Sequence, residues 1–198
     1  METPFSMVPP WQSGADEGAL AVQVIALVQP PATVAEAASR ETLSAVLAAP
    51  VTRRLLAVDL AADGAAADCC PAGFDLIGQR AGDLGDRMAG AFADAHAVTA
   101  LPMLLIRADT LAVTPGMLAD AARSLVSGEA DAAFGPAADG GFWLLGLRRP
   151  DRSLVVDVPG QRVAAGSGRV LLDRLASAGL RVALAPRLEA GGVRPLVR

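Results

Sequence analysis

Short apolar runs alternate with stretches of helical spacing along most of this chain. Ala21 to Val28 (AVQVIALV) is apolar and rich in β-branched residues, the pattern of a buried first strand, which Pro30 and Pro31 end. Thr33 is placed to cap a helix from Val34 to Ala49, and Leu55 to Leu60 reads as the second strand. Ala61 to Gly73 is small and turn-prone and reads as a loop; Phe74 to Gly78 follows as a short strand. From about Asp83 to Ala97 the residues Leu84, Met88, Ala91, Phe92 and Ala95 share one helical face, with Asp83 at the N-terminus. Pro102 to Ile106 leads as a strand to Asp109. Thr114 and Pro115 then open another helix as cap and first residue. Asp131 to Phe134 and Phe142 to Leu147 read as strands around an Asp-Gly-Gly turn, and Leu154 to Val158 as a short edge strand. Gln161 to Gly168 is irregular. Val170 to Ala178 reads as a helix closed by Gly179, and Leu180 to Ala185 as the last strand. Strand–helix alternation from end to end predicts a three-layer α/β/α sandwich on a mainly parallel sheet. Residues 1–19, rich in Pro, Gly, Ser and acid, form an expected flexible arm carrying Trp11, and residues 20–198 one expected domain.

Composition narrows the function. The chain is 53% hydrophobic with only 4% aromatics, so its core is built from small aliphatic side chains, which suits strands covered by helices on both faces. Net charge is −4, which argues against a nucleic-acid partner. Every basic residue is Arg, so anion binding falls to guanidinium or backbone N–H groups. Adjacent Cys69 and Cys70 rarely bridge one another, and no other Cys is present for a disulfide framework or a metal cluster. The start (Met1, Glu2, Pro9, Pro10, Asp16) lacks the basic opening of a signal peptide, and the apolar runs are short for a membrane span. A cytoplasmic protein without membrane attachment is expected.

Two carboxylates fall just past strand ends, where open α/β sheets bind ligands. Asp109 there can hold a divalent cation, or it can serve as an ordinary turn acid before the next helix. Asp139 with Gly140 and Gly141 can shape a ligand pocket, or form a plain Asx-type turn. Gly82, Asp83, Leu84, Gly85 and Arg87 make a weak phosphate-loop fragment or a capped helix start. Phe142 and Trp143 point to opposite sheet faces. His96 is the only histidine and sits late in a helix, and Ser167 lies outside any G-x-S-x-G elbow, so no hydrolase triad can be assembled. Neither is there a dinucleotide fingerprint for an oxidoreductase.

The strings QRAGDLGDRMAGAFADA (79–95), PMLLIRADTLAVTPGMLADAARSL (102–125) and FGPAADGGFWLLGLRRP (134–150) together resemble a bacterial glycosyltransferase-like family of the nucleotide-diphospho-sugar transferase superfamily, with the GT-A fold. They are also similar to guanylyltransferases that build deazaflavin precursors. The resemblance implies a nucleotide-activated donor as substrate and Mg²⁺ or Mn²⁺ as cofactor. By position in the family's motifs it implies Asp109 as metal ligand and Asp139 as catalytic residue of the acceptor pocket, with Gly140 and Gly141 shaping that pocket. Gln79, Asp83, Leu84, Gly85 and Arg87 would lie beside the nucleotide. A homo-oligomer is compatible with this family.

Several positions depart from the family pattern. The loop after the first strand, basic in the family, reads QPPATVAEAASRE, with no cation before Arg40. The G-S-D-T-P motif becomes Arg107-Ala108-Asp109-Thr110-Leu111, and the Tyr of D-G-G-Y becomes Phe142. A Trp-Ser-Thr element is replaced by VAAGSGRV, and Ala190 and Gly192 stand where a second acidic cluster is expected. Two functions follow as expectations: metal-assisted glycosyl or nucleotidyl transfer, and a non-catalytic descendant that keeps the scaffold for binding.

Overall fold

The computed structural model describes residues 18–28, 41–61, 66–156, 158 and 166–189. Its elements are β1 (Leu20–Leu27), α1 (Glu41–Ala48), β2 (Val51–Val58), α2 (Ala66–Cys69), β3 (Asp75–Gly78), α3 (Leu84–Val98), β4 (Met103–Arg107), α4 (Pro115–Ser127), β5 (Ala132–Pro136), β6 (Phe142–Leu147), α5 (Arg152–Val155), α6 (Ser167–Ser177) and β7 (Val182–Leu184). The seven strands form one sheet in the order β3-β2-β1-β4-β6-β5-β7. Every neighbouring pair is parallel except those of β6, which runs antiparallel to β4 and β5. The expected α/β/α sandwich is therefore the observed architecture, with one reversed strand.

Alternating side chains of β1 feed two cores. Val22, Val24 and Ala26 pack with Leu43 and Val46 of α1 and with Leu118, Ala122 and Leu125 of α4. Ile25 and Leu27 face the other way, onto Met88, Phe92 and Ala95 of α3 and Leu171 and Leu175 of α6. Phe142 and Trp143 point to opposite faces and both are fully buried. The register shifts between Gly135 and Pro136 opposite them, leaving Trp143 in a bulge whose indole N–H donates to the Pro186 carbonyl at 2.8 Å. Gly135 makes room for that ring: a Cβ there would lie 2.5 Å from it.

The caps explain the helix starts. Asp83 accepts from the Asp86 amide at 2.9 Å, and Thr114 accepts from the Met117 amide at 3.3 Å with Pro115 as first helical residue. Three expectations are corrected. The segment read as a short strand from Leu154 to Val158 instead opens inside the short helix α5, which holds Leu154 and Val155, because Asp151 caps that helix by accepting from the amide and hydroxyl of Ser153. The stretch read as a loop from Ala61 to Gly73 contains the alanine-rich turn α2. The second strand starts at Val51, not Leu55, since Arg53 and Arg54 are held there by Asp75, Gln23 and the last carbonyls of α1. The arm with Trp11, the Thr33 cap, most of the segment after β1 and residues 161–165 lie outside the described residues.

Candidate functional site

The chain runs from β1 through α1 to β2 and β3, then returns through α3 to β4 on the other side of β1. The reversal places α1 and α3 on opposite faces. It opens the sheet between the C-terminal ends of β1 and β4, the usual ligand-binding crevice of such folds. Residues that leave these ends, and the end of β5, share one edge.

Arg107 organises it. As the last residue of a wholly buried strand its side chain is only 4% exposed, and its guanidinium holds Asp109 with two parallel bonds, Nε to Oδ1 at 3.0 Å and Nη2 to Oδ2 at 2.8 Å. Nη1 lies 3.5 Å from Oδ2 of Asp139. One cation thus joins the two carboxylates singled out in the sequence, at 24% and 44% side-chain exposure, so the ion pair has a buried side and a wet one.

The Asp139 turn is anchored from several directions. The Gly141 amide donates to Oδ1 of Asp139 at 2.9 Å, which is the Asx-type turn. Gly140 adopts φ +83°, a conformation that favours glycine. The amide of Gly168, in the first turn of α6, donates to the Gly140 carbonyl at 3.2 Å. Gly166, the residue before that helix, offers no side-chain cap, so the turn supplies part of the missing bonding. The Oγ of Ser167 sits beside the same turn, 3.5 Å from where a Cβ of Gly141 would be.

Five buried side-chain polar atoms have no hydrogen-bond partner among the described residues, and four of them belong to this edge: Gln79 Oε1, Arg107 Nη1, Thr110 Oγ1 and Ser167 Oγ. Native interiors leave few such groups unsatisfied, and a polar ligand can supply the partner. The fifth, Nδ1 of His96, lies in the last turn of α3, away from this edge. Gln79 reaches across the ends of two strands, donating to the Val28 and Ala57 carbonyls at 2.6 and 2.7 Å. The backbone of Glu189 comes in from the other side, its carbonyl accepting from the Leu111 amide at 3.4 Å.

Residues 42–160 match the family described as "uncharacterized protein conserved in bacteria (DUF2064)". The chain belongs to that family. No curated protein matches the sequence. Among solved structures, the chain is similar to a protein of Desulfovibrio desulfuricans G20 described provisionally as a nucleotide-diphospho-sugar transferase. That pair has a TM-score of 0.66 at 19% identity, covering 87% of this chain and 82% of that one. Rv0371c of Mycobacterium tuberculosis H37Rv, solved in complex with manganese, gives 0.56 at 16% identity over 89% and 94% of the two chains. Glucosyl-3-phosphoglycerate synthase of M. tuberculosis, in complex with Mn²⁺, UDP and glucosyl-3-phosphoglycerate, gives 0.58 at 15% identity over 99% and 80%. These likenesses establish the GT-A type of fold for this family member.

The remaining expected site residues of this DUF2064 chain divide between the edge and the scaffold. Asp83 spends its carboxylate on the α3 cap, Leu84 is buried in the core and Gly85 is buried in the helix. Arg87 bends back to donate to the Gly82 carbonyl at 3.2 Å. These four build the start of α3, and Gln79 alone of that motif carries an unpartnered atom into the edge. For a divalent ion the fit is poor: both Asp109 oxygens are taken by Arg107, one Asp139 oxygen by the Gly141 amide, and the described residues contain no cluster of three or more His, Cys, Asp or Glu able to hold a metal. Sequence reasoning missed Arg107, Thr110 and Ser167 as members of the edge. Arg107 had a visible sign, a cation closing an apolar strand two residues before an acid. Ser167 had none, because only the fold brings α6 to the turn.

A groove of about 750 Å³, lined by Asp131, Arg148, Arg149, Asp151 and Arg152 among others, lies at the opposite sheet edge, where β5 begins and β6 ends. It contains none of the residues above. The unpartnered atoms, rather than this groove, mark the site. No helix among the described residues is long and apolar enough to cross a membrane.

Proposed function

We propose that the edge between β1, β4 and the Asp139 turn binds a nucleotide-activated donor, and that the protein is a transferase moving a glycosyl or nucleotidyl group from it. The observation that carries this reading is the set of four buried polar atoms with no hydrogen-bond partner among the described residues, on segments that leave the C-terminal strand ends or pack on the Asp139 turn. Similar structures hold UDP in one case and CTP in another, which favours a nucleotide as the class of ligand. In this reading Gln79 Oε1 accepts from the nucleotide and the Thr110 hydroxyl donates to it or accepts from it, while Asp83, Leu84, Gly85 and Arg87 fix the start of α3 beside it. Asp139, half exposed beside Gly140 and Gly141, faces the acceptor. Its free carboxylate lone pairs suit a sugar or acid hydroxyl. Calorimetric titration with a panel of UDP-, GDP- and CMP-activated sugars, with CTP included, tests the reading. At least one donor is expected to bind below millimolar concentration and to weaken at least tenfold in Gln79→Ala. Absence of binding by every member of the panel at millimolar concentration would sink it.

A second reading is favoured by one observation: the one buried cation at the edge among the described residues, Arg107, is already paired with two carboxylates, which leaves exposed Arg187 beside the Asp139 turn and Arg87 at the start of α3. Stabilising a leaving diphosphate is worth several kcal/mol in transferases and needs uncommitted positive charge. A protein that binds the donor without turning it over follows from this. Donor binding without product release in an overnight assay, together with an unchanged cellular phenotype in Asp139→Ala, would establish it in place of the first.

A further inference from the structure

We infer that Arg107 is the resident cation of this edge, holding the positions that a divalent ion would need, so that the site takes its ligand without metal. The inference rests on the reading of the edge as the ligand site. A Mg²⁺ or Mn²⁺ ion at a carboxylate needs a free lone pair on an oxygen at roughly 2.0–2.2 Å, and it keeps the rest of its shell in water and phosphate. The guanidinium fork takes one lone pair on each Asp109 oxygen, at 3.0 and 2.8 Å, and sets a fixed positive charge beside them that repels a second cation. The third nitrogen, Nη1, lies 3.5 Å from Asp139 Oδ2, so the same guanidinium reaches the second carboxylate as well.

The guanidinium is not free to leave. Its side chain is 4% exposed and rises from a strand whose five residues are all buried, flanked by β1 on one side and β6 on the other. With one positive charge against two negative ones, the triad carries a net charge of −1, whereas a divalent ion on the same pair would give zero. A ligand seated here therefore meets its positive partners elsewhere. Two groups are at hand: the guanidinium of Arg187, exposed beside the Asp139 turn where it donates to the Ala138 carbonyl at 2.9 Å, and the first turn of α6, where Ser167 Oγ is buried with no hydrogen-bond partner among the described residues.

The test uses the full chain and Mn²⁺ alone, read by the electron paramagnetic resonance signal of the free ion, with no nucleotide present. Wild-type protein is expected to take up no Mn²⁺ below about 1 mM. Arg107→Ala is expected to bind it at least tenfold more tightly, and Arg107→Ala combined with Asp109→Asn to lose that gain. Arg107→Met, which keeps the bulk of the side chain without its charge, serves if the alanine variant does not fold. Tight Mn²⁺ binding by wild type that disappears in Asp109→Asn would overturn the inference, as would variants that gain nothing. A parallel calorimetric titration with UDP, GDP and CTP in EDTA and in Mn²⁺ is expected to give affinities within twofold of each other, and a tenfold rise with Mn²⁺ counts against the proposal. Failure of every nucleotide to bind would strike the functional reading alone, since the Mn²⁺ result stands without it.

Discussion

Replacing Gly168 with alanine probes how the Asp139 turn and helix α6 are joined. A Cβ at Gly168 would lie 2.2 Å from the Gly141 carbonyl oxygen, 2.8 Å from its carbon and 3.0 Å from the Gly140 oxygen. The nearest contact is roughly 1 Å shorter than non-bonded heavy atoms tolerate, and the obstructing atoms are backbone, which cannot rotate aside. The helix must therefore back away from the turn. Overpacking of this kind costs about 1–3 kcal/mol, and stretching the Gly168 amide bond to the Gly140 carbonyl adds roughly 0.5–1.5 kcal/mol. A total of about 1.5–4.5 kcal/mol corresponds to a fall in Tm of roughly 3–18 °C for a domain of this size. Differential scanning calorimetry measures it. Gly116→Ala is the internal control, since it is the same chemical change in the first turn of α4 with nothing nearer than Thr114 Oγ1 at 3.8 Å. There alanine removes chain entropy from the unfolded state and is expected to stabilise by up to about 1 kcal/mol. A Gly168→Ala protein melting within about 1 °C of wild type would refute the close seating of α6 on the turn.

Other consequences follow from single features. Ala112 is the one non-glycine with positive φ among the described residues, at +61°, so Ala112→Gly is expected to raise stability by up to about 1 kcal/mol in urea melts; a loss of more than that would show the strain is absent. Asp131 accepts two bonds from the Arg181 guanidinium and one from its amide, with the charges of Arg181 and Arg148 alongside, and its pKa is lowered from 3.8 to about 2. The folded value lies below the unfolded one, so the pair's stabilisation is fully present above about pH 4 and lost as pH falls toward 2. An NMR titration of the Asp131 carboxyl should show a midpoint near the lower value, moving up in Arg181→Ala, and an ordinary midpoint in wild type would contradict the pairing. Trp143→Phe removes the indole donor from the Pro186 carbonyl and leaves a void in a fully buried bulge, an expected loss of about 2–4 kcal/mol by denaturant unfolding; a change under about 1 kcal/mol would mean the bulge repacks freely.

The apolar runs located the strands because buried parallel strands carry few polar residues. They failed where a strand begins among charges. The first half of β2 holds Thr52, Arg53 and Arg54, whose polar groups find partners on Leu20, Asp75, Gln23, Val46 and Ala49, none of them near in the pattern of the strand itself. The segment at Leu154 was misread for the opposite reason: a short apolar run suits either element, and the Asp151 cap with Ser153 decided for helix. At the site, Asp109 and Asp139 were legible because carboxylates after strand ends are few in this chain, and parallel topology brings such ends together. The pairing of Arg107 with Asp109 was not legible. It depends on the chain turning just after β4, so that residues two apart face each other across the turn, as the Thr110 amide bond to the Arg107 carbonyl records. Ser167 and Gly168 join the site through contacts with Gly140 and Gly141 that no local spacing encodes.

The most direct test of the account is a crystal soaked with both a UDP- or GDP-sugar and Mn²⁺. The expected result is nucleotide density along the edge formed by Gln79, Arg107, Thr110 and Ser167, with Arg107 still clasping Asp109 and no metal peak between Asp109 and Asp139. Nucleotide density at another surface, or a manganese peak between those carboxylates with Arg107 displaced, would contradict it.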